Sequence, residues 1–299
     1  MPNIKSILVT GSGGQLGQSL NHIAQTYPDY TFTFAHRVDL DLSDEKSIDT
    51  FFKQQQFDLI INCAAYTAVD KAESEPELAA QLNHLAVKQL AEIAKQYNTK
   101  LIHISTDYVF NGTQYRPYIE TDDVAPQSVY GETKLKGEQA LFTAMPNNAL
   151  IIRTSWVYSE YGNNFVKTML RLGQEREALN VIFDQVGTPT YAHDLAEAIM
   201  AVVDSDIVKQ AVFTSELYHY SNEGVCSWYD FAKMIFELSN VSCHVRPIET
   251  KDYPTPATRP HYSLLNKTKI KQRFNIPIPY WKDSLQHCLN KLAQQENTA

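Results

Sequence analysis

A tyrosine and a lysine stand four residues apart in the segment YGETK, residues 130–134. On a helix this spacing puts the two side chains on one face, a single turn apart. A free tyrosine has a pKa of about 10, too high for efficient proton transfer at neutral pH, and a neighbouring cation lowers that pKa by favouring the tyrosinate. The spacing therefore predicts that Tyr130 transfers a proton, that Lys134 lowers its pKa, and that Lys134 also binds ribose hydroxyls.

A threonine, Thr106, comes directly after the apolar run at residues 101–105. If that run is a strand of a parallel sheet, Thr106 lies at the carboxyl edge of the sheet, where such folds bind their ligands. We expect its hydroxyl to donate a hydrogen bond to a reacting carbonyl oxygen while Tyr130 delivers a proton to the same atom. Asp107 and Tyr108 follow, and they either shape the same site or cap the turn after the strand.

A glycine-rich turn, VTGSGGQLG at residues 9–17, separates the first predicted strand from the first predicted helix. Its GxxGxxG spacing is that of short-chain dehydrogenases. Glycine allows a tight turn, close approach of the backbone to a pyrophosphate and close packing of helix on strand, while the helix N-terminus offers N–H groups to phosphates. The turn predicts a nicotinamide dinucleotide site, formed here by Gly11, Gly13, Gly14, Gln15, Leu16 and Gly17.

The end of the second predicted strand bears on which dinucleotide is accepted. An acid there normally binds the adenosine ribose 2′-hydroxyl, but this strand ends FAHR at residues 34–37, with no acid until Asp39. Arg37 is either a solvated surface arginine or a partner for a 2′-phosphate, so we expect NADPH or NADH as cofactor. Further cofactor contacts are predicted at His36, Asp41, Leu42, Ala64, Ala65 and Tyr66.

These residues need a scaffold of alternating strands and helices. Apolar runs spaced by helical patterns predict βαβ units and a parallel sheet covered on both faces, which is the α/β, Rossmann-type doubly wound fold. Helices are expected at residues 15–27, from about residue 75, and from about Tyr130. The predicted strands are residues 6–10, 30–35, 58–63, 101–105 and 149–153.

The second half of the chain has a looser pattern that is punctuated by prolines. It predicts a smaller C-terminal substrate-binding domain, with a loop at residues 154–164 over the ligand. The expected division is a dinucleotide domain at residues 1–153, with parts of 180–215, and a discontinuous nucleotide-sugar domain at residues 154–299.

The composition is that of a globular protein, with 43% hydrophobic and 20% charged residues among 299. A net charge of -8 argues against nucleic-acid binding, which needs a clustered basic patch. The four cysteines form no CxxC and suit a reducing compartment. There is no signal-peptide pattern and no apolar run long enough for a membrane span, so a cytoplasmic enzyme is expected.

Several longer segments resemble the dTDP-4-dehydrorhamnose reductase family of the extended short-chain dehydrogenases, and the resemblance covers nearly the whole chain. It implies reduction by NAD(P)H of the C4 ketone of dTDP-4-dehydro-6-deoxy-L-mannose, giving dTDP-L-rhamnose, and so a place in dTDP-rhamnose biosynthesis. The segments are AYTAVDKAE (65–73), STDYVFNG (105–112), YGETKLKGE (130–138), RTSWVY (153–158), GNNFV (162–166), DQVGTPT (184–190), and Arg259-Pro260 with Ser263.

The resemblance also implies roles for single residues. Thr106, Tyr130 and Lys134 match the catalytic threonine, tyrosine and lysine of the family, and Thr67 falls in a loop near the cofactor. The implied substrate-binding positions are Val69, Asp70, Thr106, Asp107, Trp156 and Asn164.

Two departures from the family limit what it implies. Members often carry an acid where His36 stands, so NADH preference does not carry over. Some members dimerise through a magnesium ion held by glutamates, one of them early in the first helix, where this chain has no acid. We therefore expect no metal and a monomer or weak homodimer. The alternatives are a reductase or epimerase of another nucleotide-linked sugar, or a regulatory subunit without turnover, since the methionine adenosyltransferase beta subunit resembles the same family.

Overall fold

A six-stranded parallel sheet lies at the centre of the computed structural model, which describes residues 4–296. Its strand order is β10-β5-β4-β3-β1-β2, so the chain reverses direction across the sheet between β1 and β3, where open α/β sheets bind ligands. Three two-stranded sheets pair β11 with β8, β12 with β7 and β6 with β9. The strands are β1 (Ser6–Thr10), β2 (Thr31–Ala35), β3 (Leu59–Asn62), β4 (Lys100–Thr106), β5 (Ala149–Thr154), β6 (Val157–Tyr158), β7 (Ala178–Ile182), β8 (Val186–Gly187), β9 (Thr190–Tyr191), β10 (Glu216–His219), β11 (Cys226–Ser227) and β12 (His244–Ile248).

Helices cover both faces of this sheet. One π-helical turn, Gln81–Leu85, joins α4 to α5, and short 3-10 turns lie at Asp107–Val109 and Thr250–Asp252. Within the described residues, no helix has the length and apolar character that crossing a membrane requires. The helices are α1 (Gln15–Ala24), α2 (Glu45–Gln54), α3 (Val69–Ala72), α4 (Pro76–Ala80), α5 (Ala86–Gln96), α6 (Val129–Ala144), α7 (Phe165–Glu175), α8 (Ala192–Val203), α9 (Trp228–Leu238), α10 (Thr268–Phe274) and α11 (Trp281–Glu296).

Two hydrophobic layers hold the helices on the sheet. On one face α1 and α8 pack through residues such as Leu20 and Ile199, both fully buried. On the other face α2, α5 and α6 pack through residues such as Leu90 and Leu141. Burying a side chain of this size contributes about 1.5–3 kcal/mol, so the two layers supply most of the driving force that fixes the sheet and hence its carboxyl edge.

The prediction of an α/β doubly wound parallel sheet is confirmed, and all five predicted strands are present with their ends within a residue or so. The sixth strand, β10, was not predicted. Residues 154–164 are wrongly predicted as a loop throughout, because β6 pairs with β9 and the buried Tyr158 packs into a core. The helix α2 was also missed.

A further core lies in the C-terminal half, where α7, α9 and α11 pack with the β7–β12 pair around buried aromatic residues such as Phe231. The strand β10 lies within residues 154–299, the range expected for the smaller domain, but it pairs with β5 of the main sheet. The division into domains stays a prediction.

Candidate active site

A cavity of about 530 Å³ lies along the carboxyl ends of the central strands and reaches from the end of β2 to the start of α6. Its volume is in the range of cofactor sites. Most residues predicted to bind the cofactor line it: Gly11, Gly14, Gln15, Leu16, Gly17, Arg37, Asp41, Leu42, Ala64, Ala65, Thr67, Tyr130 and Lys134.

Three predicted cofactor residues do not line this cavity. Gly13 and His36 lie side by side at its margin, since a Cβ on Gly13 would stand 3.6 Å from His36 Nδ1. The Tyr66 hydroxyl donates to Glu75 Oε2 at 2.6 Å, and its contact with the cofactor stays a prediction. The cavity is also lined by residues that we did not predict as cofactor contacts, although five of them stand in segments that carry the family resemblance. They are Leu40, Cys63, Leu82, Ile104, Ser105, Thr154, Val157, Gly162, Asn163 and Leu195.

The glycine turn is shaped by close backbone contacts. Gly11 has φ +65°, and a Cβ there would lie 2.7 Å from the Ala64 backbone, while a Cβ on Gly17 would lie 2.4 Å from Gly11 O. The N-cap of α1, Gly14, offers no side-chain cap, and the first turn of α1 carries no acid. The free N–H groups and positive end of this helix therefore fit a pyrophosphate.

The end of β2 presents a cation and an anion together. Arg37 Nε lies 3.3 Å from Asp41 Oδ2, and three-quarters of the arginine side chain is exposed. Hydrogen bonds from Ser43, together with Arg37, lower the pKa of Asp41. Asp39, the first acid after the strand, instead accepts from the His36 backbone N–H at 3.0 Å. The site can thus pair Arg37 with a 2′-phosphate or Asp41 with a 2′-hydroxyl.

Close packing of α6 on the turn after β4 positions the tyrosine. Ser128 caps α6 by accepting from Gly131 N at 3.2 Å. A Cβ on Gly131 would lie 2.3 Å from Tyr108 O, so only glycine permits this approach. The rings of Tyr108 and Tyr130 meet edge-on, with centroids 5.4 Å apart. The sequence did not identify Gly131 as a requirement, although it lies next to Tyr130.

The Tyr130 hydroxyl is more strongly held in its protonated form than we predicted. Burial raises its pKa to about 12, with the Asp107 charge acting in the same direction and Thr106 acting against it. Burial is the largest cause of this shift, and the lowering of the Tyr130 pKa by Lys134 stays a prediction. At neutral pH the phenol is therefore protonated, which is the form that can donate a proton.

Lys134 is bound to strand β4. Its buried Nζ donates to Ile104 O at 2.6 Å and lies 3.3 Å from His103 Nε2. Burial lowers the pKa of Lys134 to about 8, although the charge of Glu138 acts in the opposite direction. The side chain is therefore fixed beneath the cavity and close to losing its proton at neutral pH.

Thr106 and Asp107 form a buried pair at the end of β4. The Thr106 hydroxyl donates to Asp107 Oδ1 at 3.1 Å and accepts from Tyr108 N at 3.2 Å. Asp107 Oδ2 is buried without a hydrogen-bond partner in the described part of the chain. Burial raises the pKa of Asp107 to about 6, with the Ser263 and Thr106 hydroxyls acting against it.

A second cavity, of about 770 Å³, lies between α7, the β7–β12 pair and the segment before Arg259. Arg259 Nη2 pairs with Asp70 Oδ2 at 2.7 Å, and both residues line this cavity. Arg176 and Arg246 add two further guanidinium groups. Three arginines against the carboxylates of Asp70 and Asp252 favour an anionic ligand.

Trp156 and Asn164, two predicted substrate residues, have structural partners. Trp156 has φ +47°, an uncommon conformation for a bulky residue, and its ring stacks on Trp228 with centroids 3.7 Å apart. Asn164 caps α7 and donates to Gln15 Oε1 at 2.9 Å, which holds the loop carrying Gly162 over the glycine turn. Val69 begins the short helix α3 beside Asp70.

Among residues 4–296, no three His, Cys, Asp or Glu side chains are grouped so that they could hold a metal ion.

Known proteins are similar in sequence to this chain over almost its full length. The family model described as "RmlD substrate binding domain" matches residues 5–294. The dTDP-4-dehydrorhamnose reductase of Aggregatibacter actinomycetemcomitans is 42% identical, over 94% of this chain and 97% of that protein.

Two solved structures are similarly close. The dTDP-4-dehydrorhamnose reductase of Clostridium acetobutylicum superposes with a TM-score of 0.90 at 38% identity, covering 96% of this chain and 99% of that one. The Bacillus anthracis enzyme of the same name, solved in complex with NADP, has a TM-score of 0.89 at 36% identity, covering 97% and 100%.

Proposed function

Because the chain belongs to the dTDP-4-dehydrorhamnose reductase family, we propose that it reduces the C4 ketone of dTDP-4-dehydro-6-deoxy-L-mannose with NAD(P)H, giving dTDP-L-rhamnose. One observation carries the proposal: the glycine turn and the pair Tyr130 and Lys134 line one cavity. A dinucleotide lying along that cavity brings its two ends to the phosphate-binding turn and to the proton donor.

Three residues where β4 ends and α6 begins have roles in this reaction. The bound dihydronicotinamide supplies the hydride. Tyr130, which is protonated at neutral pH, donates its proton to the C4 oxygen as negative charge develops there. Thr106 donates a hydrogen bond to the same oxygen, and Lys134 binds the nicotinamide ribose.

The remaining predicted residues hold the two ligands. The helix N-terminus after Gly14 binds the pyrophosphate, and Arg37 with Asp41 binds the adenosine ribose, which suits NADPH as well as NADH. The second cavity supports a site for the substrate diphosphate, which Arg176, Arg246 and Arg259 would neutralise. The predicted sugar contacts are Val69, Asp70, Asp107, Trp156 and Asn164.

We infer that the protein acts in the cytoplasm as a monomer or weak homodimer and does not bind nucleic acid. Its net charge of -8 supports the last point. Light scattering over a range of protein concentrations tests the oligomeric state, and a stable dimer at nanomolar concentration would contradict the inference.

The reaction is tested by incubating the purified protein with the 4-keto sugar nucleotide and NADPH or NADH, then analysing the product by mass spectrometry and NMR. We expect dinucleotide oxidation matched one-to-one by dTDP-L-rhamnose. Tyr130→Phe provides the control for a contaminating reductase. Dinucleotide binding without oxidation would favour a regulatory subunit, and an epimerised or different hexose would favour one of the other sugar nucleotide enzymes.

A further inference from the structure

A row of buried polar residues crosses the central strands beneath the cavity. Thr10, Asn62 and His103 are register partners on β1, β3 and β4, and each is at most 1% exposed. Thr10 Oγ1 donates to Asn62 Oδ1 at 2.7 Å, and Asn62 Nδ2 lies 3.0 Å from His103 Nδ1. The other ring nitrogen, His103 Nε2, lies 3.3 Å from Lys134 Nζ. The row therefore ends on the lysine of the cavity.

A backbone N–H determines how the Asn62 amide is oriented. Ala64 N, which can only donate, lies 3.2 Å from Asn62 Oδ1. If the amide were rotated by 180°, Asn62 Nδ2 would face Ala64 N, and two hydrogen-bond donors would oppose each other. The amide nitrogen of Asn62 therefore faces His103 Nδ1 and donates to it, so Nδ1 must carry a lone pair.

This orientation determines the proton on the other side of the imidazole. A neutral imidazole with a lone pair on Nδ1 carries its hydrogen on Nε2, and that hydrogen points at Lys134 Nζ. An ammonium group has only donors and would oppose it, whereas a neutral amine has a lone pair to accept it. The amine keeps two hydrogens, one of which is donated to Ile104 O.

We propose that Asn62 and His103 are positioning residues that favour the neutral amine of Lys134, in which form His103 Nε2–H donates to Lys134 Nζ. The three side chains then form one hydrogen-bonded chain in which no two donors face each other. Protonation of Lys134 breaks the bond to His103, so the chain links the charge of the lysine to its position under the cavity.

The groups around Lys134 are compatible with a neutral amine. Glu138, one turn further along α6, is already paired with Arg153 through contacts of 2.7 and 2.9 Å. Burial raises the pKa of the Cys63 thiol, which stays uncharged. Tyr130 on α6 keeps its proton for the same reason. Burial also lowers the pKa of His103 well below its ordinary range, and that of Lys134 to about 8.

The proton assignment is measured on the full chain without cofactor, so its outcome does not depend on the proposed reaction. Nitrogen-15 NMR of labelled histidines distinguishes the two tautomers, and the His103→Gln variant assigns the resonance. We expect His103 to carry its proton on Nε2 from pH 8 to 9, where at least half of Lys134 is neutral. A proton on Nδ1, or an imidazolium in that range, would overturn the proposal.

A substitution that reverses the polarity of the chain gives the second test. In Asn62→Asp the carboxylate accepts from His103 Nδ1–H, so Nε2 becomes an acceptor that favours the ammonium form of Lys134. We expect the apparent pKa of Lys134, followed by NMR of labelled lysine, to rise by at least one unit, a tenfold change in the equilibrium. An unchanged lysine titration in a folded Asn62→Asp protein would refute the positioning role. If that variant does not fold, the tautomer in the unaltered chain decides alone.

A buried histidine elsewhere serves as the matched control. His219 on β10 is also fully buried, and its Nδ1 lies 3.1 Å from Tyr118 O, away from Lys134. His219→Gln should lower stability without moving the Lys134 titration, whereas His103→Gln should move it. Equal effects of the two variants on the lysine would reduce the role of His103 to packing.

Discussion

Replacing Asp107 by asparagine should make the protein progressively more stable, relative to the unaltered chain, as the pH rises. The carboxyl is 1% exposed, and its Oδ2 has no hydrogen-bond partner among the described residues. The folded-state pKa is about 6, whereas an unfolded aspartate titrates at about 3.9. Ionisation is therefore harder in the folded protein than in the unfolded chain.

The sign and size follow from that difference. A carboxyl with a raised folded pKa stabilises the fold fully below the unfolded pKa, and this contribution is lost as the pH rises through the folded pKa. Two units at about 1.4 kcal/mol each give about 3 kcal/mol in total, of which about half is lost between pH 5 and pH 8. Asparagine cannot ionise. Its side-chain amide would also be buried with one polar atom lacking a hydrogen-bond partner, which costs about 1–3 kcal/mol at any pH.

Urea unfolding of both proteins at pH 5, 6, 7 and 8 measures the effect. The free energy of unfolding of Asp107→Asn minus that of the unaltered chain should rise by about 1.5 kcal/mol across this range. Asp58→Asn is the control without pH dependence: although burial acts to raise the Asp58 pKa, hydrogen bonds from Lys5 and Ser6 lower it overall, so this carboxylate is ionised in the folded and the unfolded chain throughout pH 5–8. Parallel pH profiles for Asp107→Asn and the unaltered chain would refute the reasoning.

Four further substitutions test the site. Tyr130→Phe removes the proton donor, so kcat should fall roughly 10²–10⁴-fold with dinucleotide affinity nearly unchanged by calorimetry; retention of a tenth of the rate would contradict the role. Lys134→Met removes the predicted ribose contact and should weaken both turnover and dinucleotide binding, whereas unchanged affinity would count against that contact. Arg37→Ala should lower kcat/KM for NADPH by about 1–3 kcal/mol in transition-state free energy and spare NADH, and equal losses with both would make the arginine structural. Gly131→Ala should displace α6 from Tyr108 O and lower both the melting temperature and kcat. Unchanged values of both would contradict the close packing of α6 on Tyr108.

Most of the sheet could be predicted because its strands are buried on both faces. Such strands appear in the sequence as short, nearly continuous apolar runs. The strand β10 lacked that signal. It comprises four residues, Glu216–His219, at the sheet edge, and only its last two residues are buried. Its assignment depends on pairing with β5, a contact distant in sequence.

The site could be predicted where one local motif carries several residues, as at the glycine turn and around Tyr130. It could not be predicted where tertiary packing decides. The orientation of Tyr66 toward Glu75, the stacking of Trp156 on Trp228 and the raised pKa of Tyr130 all depend on neighbours that no local pattern specifies.

The polar residues of the sheet identify its functional edge without any motif. Two successive rows across β1, β3 and β4 are apolar, Leu8–Ile60–Leu101 and Val9–Ile61–Ile102, and the next row toward the carboxyl edge is Thr10–Asn62–His103. Replacing a paired set of buried polar groups by apolar ones of similar shape is often neutral or stabilising, so packing alone gives no reason for the third row. The cavity-lining residues Gly11, Cys63 and Ile104 follow that row directly on the three strands. The row therefore lies one residue below the ligand, where it can orient Lys134 while remaining out of solvent.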